Sequence, residues 1–534
     1  MAQSTLNSSD LDKKLNYNYS HRLKDDTTID IPKEFEKVAN SIGLSSKDAG
    51  GKITFKGADP IVKSTLPLGA ASSISLMLKS VAATKVWRMR GGKGQNLTTE
   101  ISKCINRLSC LYKMLETLNG YPADNPDMNL AMTMALFKTK DGRFIIPDNN
   151  MPKLRDRMQK LLHCTNNLDS LSSAILKWNS DDLEKKATDQ GLVMGKVRSL
   201  DEFMGESVYQ GYLKKVPLVE VEKIGDSKPE PLSKDVKTPL SGIRALGMGH
   251  IIAGAGIGRA LACHGADVLN IWRLNEFEDD ITYVDSHVGM RSTRFDYKTS
   301  SGQKELHHLL KGADIFFGNR RNKLMEEINL TAKDAAKIRP GIIYCNTSFS
   351  GNRGPWVDRV GYDQVAGCVT GLALLDGTPK APQLPVINVV NDNLVGWLAA
   401  AGIMEALTRR AKEGGSYRVH VSLTRVALWL MSLGIFDKGY VNQIAGKPGK
   451  HQELMPDLFT AKTPMGFYQG YTDQVKMSEL KEDYHTVLVP RGSSAPVWLV
   501  NGKEPNWQPK DPSAHSKPIP IQQIQSKIYQ SYQK

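Results

Sequence analysis

One carboxylate in the sequence stands where it could do covalent chemistry. Asp392 follows Val389-Val390-Asn391 and precedes an apolar run with helical spacing, so we expect it at the start of a helix. A helix N-terminus keeps a carboxylate ionised, and its free amides can bind a developing oxyanion. Asp392 could therefore attack a carbonyl carbon as a covalent nucleophile. The alternative is that Asp392 only caps the helix by accepting hydrogen bonds from free amides.

A second candidate is the glycine-rich segment 254–258 (GAGIG) ahead of a predicted helix. Closely spaced glycines let backbone amides approach a phosphate, and Arg273 at the end of the next predicted strand could meet one. An NAD(P) site is one interpretation, although the spacing is not GxGxxG and Trp272 and Arg273 replace the expected ribose-binding acid. Close packing of helix against strand explains these glycines equally well.

Basic residues also follow the strand predicted over 313–318. Arg320 and Arg321 stand at its carboxyl end, where doubly wound sheets bind ligands and where arginine suits phosphate. A solvated pair of charges is the alternative. After the next predicted strand, a loop rich in glycine and arginine leads to Tyr362, which suits the rim of a cleft.

Composition excludes several classes of protein. With 534 residues, 40% hydrophobic and 24% charged, the chain is globular, and no apolar run reaches the roughly 18 residues of a membrane span. The polar start contains no signal segment, and six scattered cysteines and eleven histidines show no metal-binding spacing, which indicates a cytoplasmic protein without a metal. The net charge of +14 is spread along the chain, so it favours solubility or a small polyphosphate ligand over nucleic acid.

These candidates depend on an alternating pattern of elements in the second half. Strands are predicted at 242–248, 266–272, 313–318 and 341–347. Helices are predicted between them, at 254–264, 303–310 and 332–339. Strands alternating with helices of about ten residues predict an α/β fold with a Rossmann-like, doubly wound parallel sheet. A hairpin over 134–146 followed by three helical patterns predicts a smaller α/β domain.

The chain also shows a partial internal repeat in the order of its predicted elements. A helix over 70–87 is followed by two arginines, a glycine turn, a strand and a second helix. The same order recurs from the helix over 394–406 onward, which predicts partial duplication. Without gaps, Ala71 of the first copy stands opposite Asp392, so only the second copy carries a carboxylate there. The predicted segments are a polar arm (1–50), a partial repeat (51–130), the small domain (131–225), a linker (226–240), the Rossmann-like domain (241–435) and a C-terminal segment with its tail (436–534).

Taken together, these segments resemble the family III CoA-transferases, which include formyl-CoA and carnitine CoA-transferases and the α-methylacyl-CoA racemases. The resemblance covers most of 240–435, and the order of its segments makes it specific. It rests on GIRALGMGHIIAGAGIGRALACHGADVLNIWR (242–273), GMRSTRFDYKTSSGQKEL (289–306), ADIFFGNRRN (313–322), RPGIIYCNTSFSGNRGPWVDRVGYDQVAGCVTGL (339–372) and NDNLVGWLAAAGIMEALTRRAKEGGSYRVHVSL (391–423).

The resemblance implies an acyl-CoA:carboxylate CoA-transferase that acts through a covalent intermediate on Asp392. It further implies a CoA thioester and a carboxylic acid as substrates, coenzyme A as the only cofactor, no metal, and a possible homodimer without nucleic-acid or membrane partners. The CoA-binding residues that it implies are Gly254, Arg273, Arg291, Asn319, Arg321 and Tyr362.

Three alternatives to CoA transfer stay open at this stage. A racemase or isomerase of the same fold is less favoured, because Tyr362 stands where the racemases carry a histidine. An NAD(P) oxidoreductase lacks the expected acid after its second strand, and a non-catalytic CoA-thioester-binding member would use Asp392 only as a cap. The small domain precedes the Rossmann-like domain here, whereas family members usually carry it afterwards, so the family's interlocked dimer is expected to be altered.

Overall fold

The computed structural model describes residues 8–108, 110–123, 130–274, 276–387, 389–482 and 484–507. Its strands are β1 Ile53–Lys56, β2 Leu97–Glu100, β3 Thr117–Leu118, β4 Tyr121–Pro122, β5 Phe137–Lys138, β6 Phe144–Ile146, β7 Gly195–Lys196, β8 Glu220–Gly225, β9 Arg244–Met248, β10 Asp267–Trp272, β11 Arg291–Arg294, β12 Ile315–Gly318, β13 Ile343–Ser348, β14 Ser416–Ser422, β15 Leu458–Thr463, β16 Gly466–Tyr471 and β17 Val475–Met477.

The α-helices are α1 Ser8–Ser20, α2 Ile31–Ile42, α3 Leu68–Met89, α4 Ile101–Cys104, α5 Cys110–Lys113, α6 Leu130–Thr133, α7 Pro152–Leu162, α8 Leu168–Ile175, α9 Ser180–Asp189, α10 Leu200–Gly205, α11 Ser207–Gly211, α12 Ala253–Ala262, α13 Asp280–Ser286, α14 Ser300–Lys311, α15 Asn322–Glu327, α16 Ala332–Ile338, α17 Asp363–Thr370, α18 Val390–Glu413, α19 Leu423–Leu433 and α20 Lys438–Ile444. Short 3₁₀ turns lie at Ser46–Ala49, Ile105–Leu108, Leu213–Lys215 and Leu372–Leu374.

A large mixed sheet forms the centre of the second half. Its strand order is β11, β10, β9, β12, β13, β14, β8. The first six strands are parallel, and β8 pairs antiparallel with β14. Because the chain runs outward from β9 to β11 and then returns to β12, the winding direction reverses between β9 and β12. Ligands of such sheets bind at the carboxyl ends of the strands beside that reversal.

Helices cover the sheet and explain the hydrophobic strands. All six residues of β10 and all four of β12 are buried, as expected for parallel strands that are covered on both faces. The helices α12 and α18 pack on each other, and so do α14 and α16. The predicted α/β class and its parallel-rich sheet are therefore confirmed.

The helix α3 from the first half packs along α18 and completes the core beside the site. It is buried over most of its length although it contains several serines and threonines. The hydroxyls of Ser72, Ser75 and Thr84 each donate to a backbone carbonyl three or four residues earlier. The buried polar groups are thereby satisfied, and the small side chains let the two long helices approach closely.

The N-terminal segment differs from the polar arm that the sequence predicts. The helices α1 and α2 bury Leu15, Phe35 and Ile42 in the same core as the sheet and α18. Asp30 caps α2 by accepting a hydrogen bond from the amide of Lys33. The polar composition reflects the exposed faces of two amphipathic helices, whose buried stripes stabilise their docking.

The small α/β part has a core of its own. The hairpin β5–β6 pairs with β7, and the helices α7, α8 and α9 pack there around Met158, Leu171 and Leu183. The chain up to Pro496 nevertheless forms one compact unit, and the residues from Val497 form a second. In the described ranges no helix has the length and apolarity needed to cross a membrane.

Candidate functional site

The nucleophile candidate lies at the third residue of α18. Asp392 is 9% exposed, and in the described part of the chain no hydrogen bond to its carboxylate is found. A different residue caps this helix: Asp363 accepts from the backbone amide of Asp392 at 2.7 Å and from the Asn391 side-chain amide at 2.7 Å. Since Asp363 satisfies the helix end, the Asp392 carboxylate is left available for another partner.

Asp363 itself begins α17, directly after Tyr362, and is 3% exposed. Sequence patterns pointed to Tyr362 but not to Asp363. An acid after a loop rich in glycine was the only local signal, and an acid at a helix start is most often that helix's own cap. Only the tertiary structure shows that Asp363 caps α18, 29 residues further along the chain.

A third carboxyl group comes from the small α/β part. Asp148 follows β6 and is fully buried, and neither of its side-chain oxygens has a hydrogen-bond partner among the residues that the structure describes. The strands β6 and β7 pack on α17. The approach is close enough that a Cβ on Gly195 would lie 2.6 Å from Val365 Cγ1. No sequence pattern pointed to Asp148, because its neighbourhood depends on this packing.

The three carboxyl groups perturb one another. Burial, with a contribution from Asp363, raises the pKa of Asp148 to about 8. Burial also raises the pKa of Asp363 to about 7, although hydrogen bonds from Asp392 and Asn391 oppose the rise. Burial, followed by the charges of Asp363 and Asp148, raises the pKa of Asp392 well above its ordinary value. The cluster therefore holds protons at neutral pH, because buried like charges cannot all ionise.

Tyr362 and Arg321 border this cluster. Burial raises the pKa of the Tyr362 phenol, Asp148 and Asp392 raise it further, and Arg321 opposes the rise. The Arg321 guanidinium donates to the carbonyl of Gly191 at 3.3 Å. The structure therefore brings Tyr362 close to Asp392 and Asp148, and Arg321 lies near Tyr362.

Three other predicted residues lie around the reversal point of the sheet. Asn319 accepts from the His250 amide at 3.0 Å and donates to the His250 carbonyl at 3.0 Å, which fixes the turn between β9 and α12. A Cβ on Gly254 would lie 2.4 Å from the Asn319 carboxamide, so this glycine allows close packing. Arg273 is partly exposed at the end of β10, 3.6 Å from Asp296.

Arg291 is not brought to this edge. It lies at the start of β11, where its guanidinium forms two hydrogen bonds of 3.0 and 3.1 Å with Asp267 at the start of β10. Both side chains are buried. The amino ends of parallel strands lie opposite the ligand edge, and the guanidinium is already neutralised, so we leave Arg291 out of the proposed site.

The turn before α12 also bears on the dinucleotide interpretation. The amides of residues 249–251 donate to the side chains of Asn270, Asn319 and Glu278 respectively, each at 3.0 Å. A bound pyrophosphate would need these amides and would meet the Glu278 carboxylate. The NAD(P) interpretation is therefore disfavoured.

A small polar cavity lies between α12 and α18. Gly256, Asn393 and Trp397 line it together with the guanidinium groups of Arg107 and Arg259. The two helices touch where a Cβ on Gly396 would lie 3.3 Å from Gly256. The cavity reaches Asn393, the residue next to Asp392.

One group of side chains offers metal-ligand atoms. Sulfur, imidazole and carboxylate donors of Cys263, His264 and Asp473 lie within 4.8 Å of one another. The Lys79 ammonium forms an ion pair with Asp473 and lies 3.5 Å from the Cys263 sulfur. Because a protein cation already neutralises this acid, we propose no metal there.

A buried ionic network holds the loop that precedes Tyr362. Glu184 of the small α/β part accepts from Arg198 Nη1 at 2.8 Å and from Arg359 Nη2 at 2.6 Å. Burial raises the pKa of Glu184, but these two guanidinium groups outweigh it and hold that pKa at about 2. The network joins the two parts of the chain that supply Asp148 and Asp363.

The first half repeats the capping arrangement. Asp59 accepts from the amides of Gly69 and Ala70 at 3.1 and 2.7 Å, the second and third residues of α3. Asp363 accepts from the backbone amide of Asp392, the third residue of α18, and from the side-chain amide of Asn391, the second residue. Counted from the helix starts, Ala70 is the third residue of α3 and Asp392 is the third residue of α18, so Ala70 lies one position before the Ala71 of the ungapped comparison.

Comparisons with known proteins agree with this architecture. Residues 240–478 match the family model described as CoA-transferase family III. The acetyl-coenzyme A transferase nodX of Hypoxylon pulicicidum is 25% identical over 342 residues, which is 59% of this chain and 57% of that protein. The human succinyl-CoA:glutarate CoA-transferase is 28% identical over 199 residues, 35% of this chain and 45% of that protein.

The chain spans about half the length of these curated relatives. Among solved structures, a CAIB/BAIF family protein from Brucella suis matches with 23% identity and a TM-score of 0.34, over 43% of this chain and 65% of that one.

Proposed function

Because residues 240–478 belong to CoA-transferase family III, we propose that this protein is an acyl-CoA:carboxylate CoA-transferase with Asp392 as its covalent nucleophile. The observation that carries the proposal is that Asp363 caps α18 and leaves the Asp392 carboxylate without a hydrogen-bond partner in the described part of the chain. A carboxylate engaged as a cap could not attack.

In the proposed reaction, Asp392 first releases to solvent the proton that burial and the neighbouring acids retain on it, and it regains that proton at the end of the cycle. A carboxylate oxygen of Asp392 then attacks the thioester carbon. The C–S bond breaks, CoA leaves as the thiolate, and a mixed anhydride remains on Asp392. The thiolate then attacks the aspartyl carbonyl, which forms an aspartyl-CoA thioester and releases the first acid as its carboxylate. An acceptor carboxylate reverses the two steps and leaves as the new acyl-CoA, so no net proton or electron is consumed.

Several positions support a CoA-binding cleft at the Rossmann-like edge. Arg273 and Arg321 stand at the carboxyl ends of β10 and β12, on either side of the winding reversal, and suit phosphate and carboxylate groups. Asn319 and Gly254 shape the turn, and Tyr362 borders the reacting carboxylate. The cavity between α12 and α18 must widen before a pantetheine arm reaches Asp392.

The substrates follow from the reaction class. We propose a CoA thioester as donor and a carboxylic acid as acceptor, with coenzyme A needed only as part of the substrate, and a cytoplasmic enzyme that forms a homodimer. The human relative carries succinyl-CoA and glutarate in its name. A screen of acyl-CoAs against carboxylic acids identifies the acyl chain that the present protein transfers.

The first half supports a further part of the proposal. The shared capping arrangement of Asp59 on α3 and Asp363 on α18 fits a partial internal duplication. With Ala70 at the position of Asp392, the first copy retains the cap and lacks the nucleophile. One chain would then contain a single reacting centre.

Trapping the intermediate tests the proposed nucleophile. The protein is incubated with acetyl-CoA, succinyl-CoA or longer acyl-CoAs and then treated with hydroxylamine, which converts an activated aspartyl group into a hydroxamate. Peptide mass spectrometry is expected to find this hydroxamate at Asp392 and not in Asp392→Asn. Modification of another carboxylate would move the nucleophile elsewhere, and thioester binding without any adduct would favour a non-catalytic binding protein.

Removing each cap separates structure from function. Asp363→Ala and Asp59→Ala should each lower the free energy of unfolding by about 1–2 kcal/mol, because two helix amides lose their acceptor. Only Asp363→Ala should also slow hydroxamate formation, since Asp59 lies at the copy without a nucleophile. Urea unfolding and the trapping rate, measured well below the melting temperature, check both expectations. Equal loss of trapping in the two variants would contradict the assignment of Asp363 to the site.

A further inference from the structure

We propose that Asp148, supplied by the small α/β part, is a catalytic residue whose side chain donates a hydrogen bond to the carbonyl oxygen of the bound acyl group. This inference rests on the proposed function and adds to it the group that stabilises the tetrahedral oxyanion. Asp148 lies 244 positions before Asp392 in the sequence, and nothing in its local pattern marks it.

Burial without a partner is the first observation. Asp148 has no exposed surface, and within the described ranges both of its carboxyl oxygens lack a hydrogen-bond partner. The neighbouring Asn149 is fully satisfied, since it accepts from the Val193 amide at 2.9 Å and donates to the Val193 carbonyl at 2.9 Å. A buried carboxyl group that makes no bond costs free energy, and a bond to a bound ligand would offset that cost.

The surroundings of Asp148 decide its protonation state. The titratable groups that interact with it are Asp363, Asp392, Tyr362 and Cys368. Each of these groups is neutral or negative, and burial together with Asp363 raises the pKa of Asp148 to about 8. At neutral pH the side chain is therefore mostly a carboxylic acid, which has one O–H to donate.

The three acids differ in what they can do. Asp363 already accepts hydrogen bonds from Asp392 and Asn391, so it acts as an acceptor that holds the helix end. Asp392 is the proposed nucleophile. Asp148 alone combines a free O–H with a position beside the nucleophile, and a neutral acid in a dry site is an effective donor to a developing oxyanion. The bond forms as the carbonyl oxygen gains charge and weakens when the C–S bond breaks, with no net proton transfer.

The test measures this hydrogen bond without requiring any reaction. The probe is the ketone analogue of acetyl-CoA in which a methylene group replaces the sulfur, labelled with ¹³C at the carbonyl. Isotope-edited infrared spectroscopy should show that the carbonyl stretch shifts to lower frequency on binding to the wild-type protein. Asp148→Asn retains an N–H donor and should keep part of the shift, whereas Asp148→Ala should lose it.

The kinetic arm uses trapping on Asp392 with acetyl-CoA between pH 5.5 and 9.5. The wild-type rate should rise with pH as Asp392 loses its proton and fall again as Asp148 loses its own. Asp148→Asn should lose the alkaline fall, and Asp148→Ala should be slower by about 10²-fold or more. An equal carbonyl shift in the wild type and Asp148→Ala overturns the inference. The wild type could show the Asp148-dependent shift and yet give no trapped adduct on Asp392. That result would overturn the proposed nucleophile but not the proposed hydrogen bond.

Discussion

Asp392→Asn is expected to lower the turnover number by at least about 10³-fold while it raises the stability of the folded protein. Asparagine has nearly the same shape as aspartate but cannot form the anhydride. Removing the only group that enters covalent chemistry leaves just the contributions of binding and oxyanion stabilisation. Turnover is measured by mass spectrometry of the CoA esters formed from a panel of acyl-CoAs and carboxylic acids.

The expected gain in stability has an electrostatic origin. Burial, with the charges of Asp363 and Asp148, raises the pKa of Asp392, so above the usual titration range of aspartate the folded state resists an ionisation that the unfolded chain makes freely. Asparagine removes this penalty, which we expect to add about 1–2 kcal/mol to the free energy of unfolding near neutral pH. The gain should vanish below about pH 4, where aspartate is protonated in both states.

A matched control is Asp358→Asn, an exposed acid in the loop before Tyr362. It should change neither the activation free energy of turnover nor the free energy of unfolding by more than about 0.5 kcal/mol. Turnover of Asp392→Asn within tenfold of the wild type would exclude Asp392 as the nucleophile. An unchanged urea midpoint at pH 7 would show that the buried acid cluster costs no stability.

Glu184→Gln is expected to give the largest loss of stability, about 3–5 kcal/mol. The wild-type carboxylate neutralises the buried guanidinium groups of Arg198 and Arg359 and also accepts the Lys196 amide at 2.8 Å. Glutamine keeps the volume and one acceptor oxygen but leaves two buried cations with too little negative charge. Urea unfolding at pH 7 measures the loss.

The pH dependence of this effect follows from the pKa of Glu184. Although burial raises it, Arg198 and Arg359 hold that pKa at about 2, below the usual value of about 4.3 for an unfolded chain. The stabilisation is therefore present above about pH 4 and is lost as the pH falls from there toward about 2. The difference between the wild type and Glu184→Gln should narrow over that interval.

Glu202→Gln serves as the control for this experiment. Glu202 pairs with Arg143 at 2.8 Å, but both side chains are well exposed, at 42% and 37%. Such a surface pair contributes at most about 1 kcal/mol, so the control should unfold almost as the wild type does. Similar losses in the two variants would mean that the Glu184 network does not join the small part to the site.

The sequence by itself determined the elements and the nucleophile candidate. Apolar strands and amphipathic helices predicted β9, β10, β12 and β13 and the helices α12, α14 and α16 within a few residues, because period and burial follow directly from local side-chain order. The short elements β11, α13 and α15 were not predicted. Asp392 at a helix start and Arg321 at a strand end were selected for the same reason. The N-terminal arm was misjudged because exposed polar faces dominate the composition of α1 and α2, while their few buried residues stabilise their docking.

Only the tertiary structure decided which acids meet. Asp148, Asp363 and Asp392 come from three separate segments, and their shared site exists because β6 and β7 pack on α17 while α17 caps α18. The pairing of β11 with β10 places Arg291 against Asp267 at the opposite edge of the sheet, away from the site. Electrostatic interactions depend on distance and burial, neither of which is a property of local sequence, so the chemistry of the cluster could not be read before the chain was folded.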